Sequence, residues 1–407
     1  MARPFGSRSD EGPRSKAATA GYIRAKIYTE KGVQDQGKLS IYSSGTSRVR
    51  DVEGRVIKPD GTIFELQKED IHETTVWKSR VTKQRVTRLA FPNLAPGDIV
   101  EYRWRHFDNE SGGGRWLMMQ AEVPVREFEY RVANVAEHTY VAWMNCPGAE
   151  QNRRGGLTVT ARNLPAFVEE EYMPPDREFR AWLYMIKTYG ETDHQELWKS
   201  LTRYLAETFS AESSPAGAVK EKARSLIADA ASDEEKLRRL YQFCQSEITN
   251  FSWIDTPELQ DEREKSRMKD DQSAKDTLLR KYGWQGEINV LFASLARAAG
   301  FEVRKGMNAA IDDLLTVKTP HGWAFMNRGE VAVKVGEGWQ YFDPGSYFVP
   351  FSMLDWRDEG ALAVLCGKND REIIYSKLPN SAPSASRAIR HGTFTLTPDG
   401  TLEGDVE

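Results

Sequence analysis

A tight glycine turn that leads straight into a long apolar helix is the feature that most limits how this 407-residue chain can fold. The turn is Tyr282-Gly283, and residues 286–299 place apolar side chains at spacings of three and four, the period of a helix with one buried face. Glycine can adopt the backbone conformation that a tight turn requires. We therefore expect the backbone amides just after the turn to point toward a cleft. The residues expected to be buried on this helix are Leu291, Phe292, Leu295 and Ala298.

Helices precede this element and strands follow it. Apolar faces at helical spacing recur between residues 192 and 248. Short runs rich in β-branched and aromatic residues come after the helix, at 301–304, 330–335 and 339–343, and such runs are typical of strands. The second half of the chain is therefore predicted to be an α+β domain with the apolar helix at its centre.

The first part of the chain alternates at period two instead. The alternation is seen at 24–28, 37–42 and 128–135, and a Pro59-Asp60-Gly61 turn joins two further strands into a hairpin. Many short strands at regular spacing indicate an antiparallel β-sandwich or barrel. Prolines between residues 163 and 175 end this pattern, because proline interrupts helices and suits an extended crossover.

These patterns divide the chain into five predicted segments. They are a disordered tail at 1–21, an antiparallel β-domain at 22–172, a linker with helices at 173–234, the α+β domain at 235–370, and a linker with the start of a truncated C-terminal β-domain at 371–407. The last segment contains a strand, a Pro-Asp-Gly turn and the beginning of a second strand at 392–406. A lone hairpin is only marginally stable, so we expect the chain to be a fragment of a longer protein.

Charge and hydropathy exclude several classes of protein. The formal net charge of −4 gives no electrostatic basis for binding nucleic acid or an anionic membrane. No apolar run approaches the roughly 20 residues that cross a bilayer. The first residues also lack the apolar stretch of a secretory signal, which indicates little about location if the chain is a fragment.

Cysteine and histidine do not form a cofactor or metal pattern. Cys146, Cys244 and Cys366 are too widely spaced for a disulfide framework or a metal-ligand cluster. Cys244 lies in an apolar helix pattern and Cys366 follows an apolar strand pattern, so both are expected to be buried. The six histidines have no zinc-ligand spacing, and no phosphate loop or dinucleotide glycine pattern occurs. We therefore predict no cofactor and no metal.

Two parts of the sequence resemble known families. The turn and helix at 282–300, which end in Arg-Ala-Ala-Gly, together with the Trp-x-x-x-Asp-Pro strand end at 339–344, resemble the core of the transglutaminase-like family. The motifs at 56–61, 91–102 and 122–125 resemble an uncharacterised bacterial β-domain that commonly precedes a transglutaminase-like domain. The resemblance implies a papain-like α+β core that needs no cofactor and is often followed by another β-domain.

The resemblance also implies a catalytic site whose nucleophile is missing. In active members a Cys lies in the glycine turn at the start of the helix, a His comes from a following strand, and an Asp comes from the strand after that. Here the Cys position falls on Gln285 and the Asp position on Asp343. Acyl transfer needs a thiolate, and the carboxamide of glutamine can only donate and accept hydrogen bonds. No Cys occurs from 245 to 365, so the site is predicted to be degenerate.

The residue at the His position has two possible placements. Counting back from Asp343 along the strand places it near Met326-Asn327-Arg328, where no His occurs. The other placement is His321, which has the His-x-Trp spacing of some active members but follows a proline in a predicted loop. A charged stretch at 258–271 is predicted to be a solvated loop, with a lid beside the cleft as the alternative.

Two alternative functions are consistent with the resemblance and the missing nucleophile. The first is a catalytically inactive module for binding or scaffolding, whose partner is a peptide, a protein or a polysaccharide. The resemblance and the predicted truncation favour a periplasmic or extracellular location for it. The second is a hydrolase or acyltransferase that uses a constellation without Cys in the same cleft, for example Glu287, Asp343 and His321.

Overall fold

The N-terminal strand patterns fold into antiparallel sheets within the first of two structural units, residues 1–113. Over the whole chain, the computed structural model describes residues 17–45, 47–78, 83–108, 115–132, 139–187, 194–252, 273–314, 326–367 and 373–406. The elements of the first unit are β1 (Ala17–Lys26), α1 (Glu30–Gly37), β2 (Lys38–Ser44), β3 (Arg48–Ile57), β4 (Ile63–Glu65), β5 (Ile71–Lys78), β6 (Lys83–Ala90) and β7 (Ile99–Asp108).

One apolar core joins the two sheets of this unit. The strand order is β1-β7-β3-β4 in one sheet and β2-β6-β5 in the other. Val56 and Val100 from the first sheet share a cluster with Leu89 from the second, and Ile27 and Phe91 complete it. Because one side of each sheet is buried, the strands alternate between apolar and polar residues. The predicted strand-rich antiparallel domain at the N-terminus is confirmed.

The predicted tail at 1–21 is too long at its C-terminal end. Residues 17–21 belong to β1, which pairs Ala17 with Asp108 and Gly21 with Trp104 of β7. A Cβ atom at Gly21 would come within 2.2 Å of the Trp104 ring, so this close approach depends on glycine. Alanine and glycine have low strand propensity, which explains why the sequence did not indicate a strand here.

The second unit, residues 114–407, begins with further strands. They are β8 (Arg115–Met118), β9 (Val125–Val132), β10 (Thr139–Met144), β11 (Glu150–Asn152), β12 (Leu157–Leu164) and β13 (Trp182–Lys187). They form two three-stranded antiparallel sheets, with orders β10-β13-β8 and β11-β12-β9. The strand-rich region therefore divides at residue 113 and continues past the predicted boundary at 172.

Strand β13 corrects the prediction of a linker with helices at 173–234. Both of its faces are buried, because Trp182 packs in a cluster with Ala309 and Leu314 while Leu183 packs in a second cluster with Leu157. A strand that is buried on both faces has no alternation of apolar and polar residues. Without that signal, the prolines just before β13 suggested only an extended linker.

The predicted central helix is α6 (Gln285–Ala298). The helices before it are α2 (His194–Glu212), α3 (Gly217–Ile227), α4 (Asp233–Glu247) and α5 (Ala274–Arg280). Leu291, Phe292 and Leu295 of α6 are fully buried, as predicted. Ala298 is only half-buried, because it ends the last turn of the helix.

A five-stranded antiparallel sheet packs against α6. The strands of this part of the chain are β14 (Thr249–Asn250), β15 (Tyr282–Gly283), β16 (Val303–Met307), β17 (Val331–Val335), β18 (Gly338–Phe342), β19 (Leu362–Cys366) and β20 (Ile374–Lys377). The sheet order is β18-β17-β16-β19-β20, and Val331, Val333 and Phe342 share the core of the helices. The α+β prediction is confirmed, but β20 extends the sheet beyond the predicted end at 370 because it pairs with β19.

A hairpin of β21 (Gly392–Leu396) and β22 (Leu402–Val406) ends the described chain. Its exposed apolar side chains are Phe394, Leu396, Leu402 and Val406. That this hairpin begins a further domain stays a prediction. Across the described ranges, no helix combines the length and the apolar composition that a membrane crossing requires. The charged stretch at 258–271 lies outside the described residues.

Candidate functional site

The start of α6 is held in place by side chains before and after it. Trp284 is the residue that precedes the first helical turn, and its backbone N–H donates to the Glu287 carboxylate at 3.0 Å. The backbone N–H of Gln285 donates to the Ser252 hydroxyl at 2.9 Å. A Cβ atom at Gly283 would lie 3.0 Å from the Glu287 carboxylate, so glycine fits where this side chain folds back. These contacts satisfy donors that a helix start leaves open.

Gln285 and Asp343 meet at this helix start. The Gln285 Nε2 atom donates to Asp343 Oδ2 at 3.2 Å and to the Ser346 hydroxyl at 3.0 Å. Ser346 in turn donates its hydroxyl hydrogen to Asp343 Oδ2 at 2.5 Å. Asn289, one turn along α6, donates from Nδ2 to Asp343 Oδ1 at 2.7 Å. Both carboxylate oxygens of Asp343 are therefore supplied with donors from three side chains.

The turn after Asp343 packs directly on the helix. Gly345 donates its backbone N–H to Asn289 Oδ1 at 2.9 Å. A Cβ atom at Gly345 would come within 2.3 Å of the Gln285 carbonyl oxygen, which is far inside van der Waals contact. Asn250 adds a bond from its Nδ2 to the Gly345 carbonyl oxygen at 2.6 Å. Only glycine at this position lets the strand end approach the helix start so closely.

Burial dominates the electrostatics of Asp343. The residue is 2% exposed, and this burial raises the pKa of its carboxyl group, while the bonds from Ser346 and Asn289 oppose the rise. The positive charge of Arg328 also acts to lower the pKa of Asp343. Burial raises the pKa of Glu287 as well, against the bond from the Trp284 N–H. The arrangement thus holds one deeply buried carboxyl group by hydrogen bonds and by a nearby cation.

A cavity of about 280 Å³ opens beside this network. Its lining residues are Gln285, Gly286, Asn289, Lys305, Met307, Asn327, Arg328, Gly329, Asp343 and Asp358. Arg328 donates two hydrogen bonds to the Asp358 carboxylate, one from Nε and one from Nη2 to Oδ2 at 2.7 Å. Asn308 donates to the same carboxylate at 2.9 Å. Besides the residues of α6, the lining includes residues of β16 and residues that lead into β17.

The structure brings some of the predicted site residues together. Gln285 and Asp343 are in contact, and Asn327 and Arg328, which were reached by counting back along the strand, line the same cavity. His321 lies outside the described residues. The sequence reasoning missed Asn289 and Ser346, although each carried a signal. Asn289 is a polar residue four positions after Gln285 in an apolar helix, and Ser346 is three positions after Asp343 in a turn.

No thiol lies at the start of α6. Cys146, Cys244 and Cys366 are all buried elsewhere in the fold. Burial raises the pKa of the Cys244 and Cys146 thiols, which opposes formation of a reactive thiolate. Within the described ranges, no group of three or more His, Cys, Asp or Glu side chains is arranged to hold a metal ion.

Comparison with known proteins identifies two regions. Residues 22–168 match the family model of DUF3857, a domain of unknown function for which a structure has been solved. Residues 220–344 match the family model of the transglutaminase-like superfamily. None of the curated proteins compared with this chain matches it.

One solved structure shares the fold. The chain is similar to a "putative protease" from Parabacteroides distasonis ATCC 8503, with a TM-score of 0.56 and 14% identity over 89% of this chain and 68% of that one. At this identity the likeness shows the fold alone. A "putative cysteine protease" from Cytophaga hutchinsonii matches with a TM-score of 0.24 and 10% identity over 80% of this chain and 79% of that one, which is too distant to add to it.

Proposed function

We propose that this chain, in which a domain of unknown function precedes a transglutaminase-like domain, uses the cleft of the second domain to bind a ligand without chemical turnover. The ligand class is a peptide or a polysaccharide, held beside the start of α6. In this proposal the residue at the nucleophile position stabilises the cleft wall and takes no part in bond making.

The hydrogen bonds of Gln285 carry this proposal. Its Nε2 atom donates to the Asp343 carboxylate at 3.2 Å and to the Ser346 hydroxyl at 3.0 Å. These two hydrogen bonds hold the carboxamide against the wall of the cleft. A carboxamide has no titratable proton near neutral pH and is a poor nucleophile. Loss of a catalytic nucleophile costs several orders of magnitude in rate, and the remaining acid and base groups do not restore it.

The open space beside Gln285 supports a binding role. Gly286 is exposed at the first turn of α6, and a Cβ atom there would meet no atom within 4 Å. The cavity of about 280 Å³ is lined mainly by polar side chains, which suit the amides of a peptide or the hydroxyl groups of a sugar. A ligand can therefore reach the helix start without displacing the network around Asp343.

A bulky side chain at Gly286 tests the proposal. A panel of N-acetylated tetrapeptide amides and a panel of neutral tetrasaccharides would be screened for binding by saturation-transfer NMR. We expect at least one class to bind the wild-type protein and to lose binding in Gly286→Trp, because the indole would fill the cleft. Gly217→Trp is the matched control, since Gly217 also begins a helix and also faces open space. Absence of binding, or binding that survives Gly286→Trp, would overturn the proposal.

The alternative of a hydrolase without Cys has less support. The Glu287 carboxylate is engaged by the Trp284 backbone N–H, and Asp343 is engaged by three side chains. General acid–base catalysis needs a group that can reach the reacting proton. Glu287 is not among the residues that line the cavity, both oxygens of Asp343 accept hydrogen bonds, and His321 lies outside the described residues.

A further inference from the structure

We propose that the cavity beside the start of α6 selects ligands that carry a carboxylate, and that Lys305 is the residue that recognises this group. The inference rests on the proposed binding function and narrows the class of ligand. It is based on which charged side chains around the cavity already have hydrogen-bond or ion-pair partners.

Among the charged residues that line the cavity, Lys305 is the one whose side chain has no partner in the described part of the chain. It lies on β16 with its side chain among the residues that line the cavity, and it is half-buried there. Part of its aliphatic stem packs beside Gly329, where a Cβ atom would lie 3.7 Å from the Lys305 Cε atom. Within the described ranges, no hydrogen bond or ion pair of the Lys305 ammonium group occurs. An ammonium group at a cavity wall with no partner of its own favours an anionic ligand.

The carboxylates of the same cavity are already paired. Asp358 is 1% exposed and is bound by Arg328 and Asn308, while Asp343 is 2% exposed and is bound by its three donors. Both carboxylates that line the cavity are almost fully buried and accept hydrogen bonds, so the charge left for a ligand is the Lys305 ammonium group.

The helix start adds one backbone donor to the lining of the cavity. Gly286 has no side chain to shield its backbone N–H, and that N–H has no partner within the described residues. The amide lies in the first turn of a 14-residue helix, whose dipole favours negative charge at this end. A carboxylate in the cavity therefore has two groups of the lining that favour it, the Lys305 ammonium group and the Gly286 N–H.

The size of the cavity limits the ligand. A volume of about 280 Å³ lies near the lower end of the range for small-molecule sites, which is roughly 300–1,000 Å³. The cavity thus accommodates one acidic group with a few attached atoms. Two sources supply such a group: the side chain of an acidic residue in a peptide, and a uronic acid in a polysaccharide.

The test compares acidic probes with neutral ones of the same shape. N-acetylglutamate methylamide would be titrated against N-acetylglutamine methylamide, and glucuronate against glucose, with binding followed by NMR. We expect one acidic probe to bind about tenfold or more tightly than its neutral counterpart, and the difference to shrink as salt is added. The pair that shows the difference identifies the source as peptide or polysaccharide.

Variants of Lys305 assign the effect to this residue. We expect Lys305→Gln to remove the preference for the acidic probe and Lys305→Arg to keep it, because arginine retains the charge. Lys334→Gln is the control, since Lys334 is an exposed residue on β17 outside the cavity lining. A melting curve for each variant separates loss of binding from loss of folding.

The possible outcomes separate this inference from the proposed function. Equal binding of acidic and neutral probes, or a preference that survives Lys305→Gln, would overturn the role of Lys305. If neutral tetrapeptides or tetrasaccharides still bind and lose binding in Gly286→Trp, the proposed function stands without its acidic specificity. If no probe of either kind binds, both proposals fail.

Discussion

Gln285, at the position that the resemblance assigns to a nucleophile, forms hydrogen bonds within the wall of the cavity. At a helix start, a thiol would be stabilised as a thiolate by the helix dipole. The glutamine there instead donates to Asp343 and Ser346, so the buried carboxyl group gains a neutral partner. Arg328 enters the same cavity from the other wall, and its guanidinium stays charged over the whole physiological pH range. Neither side chain can shuttle a proton.

A cysteine at this position should regain thiol reactivity without regaining turnover. In Gln285→Cys we expect alkylation by iodoacetamide at one new site, with a thiol pKa below the usual value of about 8.5, because the helix start favours the thiolate. The wild-type protein should be alkylated slowly, since its three cysteines are buried. Mass spectrometry of timed reactions measures both rates.

Turnover should stay absent in Gln285→Cys, because Asn327 and Arg328 occupy the cavity wall and neither is a base. Amine-donor and peptide substrates would be assayed with both proteins. Rapid labelling of one wild-type cysteine, coupled to activity that the labelling abolishes, would contradict the inactive-site proposal. Peptide cleavage by Gln285→Cys alone would show that a base reaches the site after all.

Glu330 should make stability depend on pH. Its side chain is 2% exposed, neither carboxyl oxygen has a hydrogen-bond partner in the described part of the chain, and this burial raises its pKa well above the usual range. The folded state therefore holds a proton that the unfolded state releases above a pH of about 4.3. The stability contributed by this group is complete below that pH and is lost as pH rises toward the folded-state pKa.

The test of this linkage is Glu330→Gln. We expect the variant to gain stability relative to the wild type between about pH 5 and about pH 8, because the amide needs no proton. Urea unfolding at several pH values gives the difference directly. Glu337→Gln, at an exposed position, is the control and should show no such trend. A stability difference that stays constant with pH would exclude Glu330 as the titrating group.

At the scale of elements, local signals predicted the helices and most strands, but the site depends on contacts between distant segments. The helix at 286–299 was predicted because its apolar period is strong, and α6 differs from it by one residue at each end. Strand β13 was missed because a strand buried on both faces shows no alternation. The partners Asn289 and Ser346 have suggestive spacings from Gln285 and Asp343, but spacing alone does not show that the turn after Asp343 meets the start of α6.

The contact between the Gly345 turn and α6 can be tested by adding one methyl group. In Gly345→Ala the new Cβ atom would lie about 2.3 Å from the Gln285 carbonyl oxygen, so the helix start and the strand end must move apart. We expect a loss of about 2 kcal/mol in the free energy of unfolding, measured by urea denaturation. The matched control is Gly338→Ala on β18, where a Cβ atom meets nothing within 4 Å. Equal effects of the two substitutions would contradict the close approach.

At the scale of the whole molecule, the strands after residue 113 belong to the unit that contains α6. Trp182 and Tyr184 of β13 pack with Ala309, Leu314 and other apolar residues of the transglutaminase-like region. The sequence alone suggested a boundary at 172, because the change from strand to helix patterns is strongest there. The packing units divide at 113, whereas the match to DUF3857 continues to residue 168, so the domain boundary near 172 stays a prediction.

Fragments of the chain can locate this division. We expect residues 114–407 to unfold cooperatively, because they keep the strands β8–β13 with their partners. Residues 173–407 keep β13 but lose β8 and β10, which pair with it, so this fragment should melt at a lower temperature or aggregate. Calorimetry of both fragments provides the comparison. Equal melting temperatures would mean that β8–β12 contribute nothing to the fold of the second unit.

The closed network around Asp343 also bears on how such a cleft can be given a new specificity. One wall, from Gln285 and Asn289 to the Gly345 turn, is rigid because its polar atoms are bonded to one another. The facing wall carries Lys305 and Asn327, whose side chains contribute little to the core. Under the proposed binding function, substitutions on that second wall would change the ligand preference while the bonded wall keeps its shape, which makes the domain a candidate framework for engineered binding proteins.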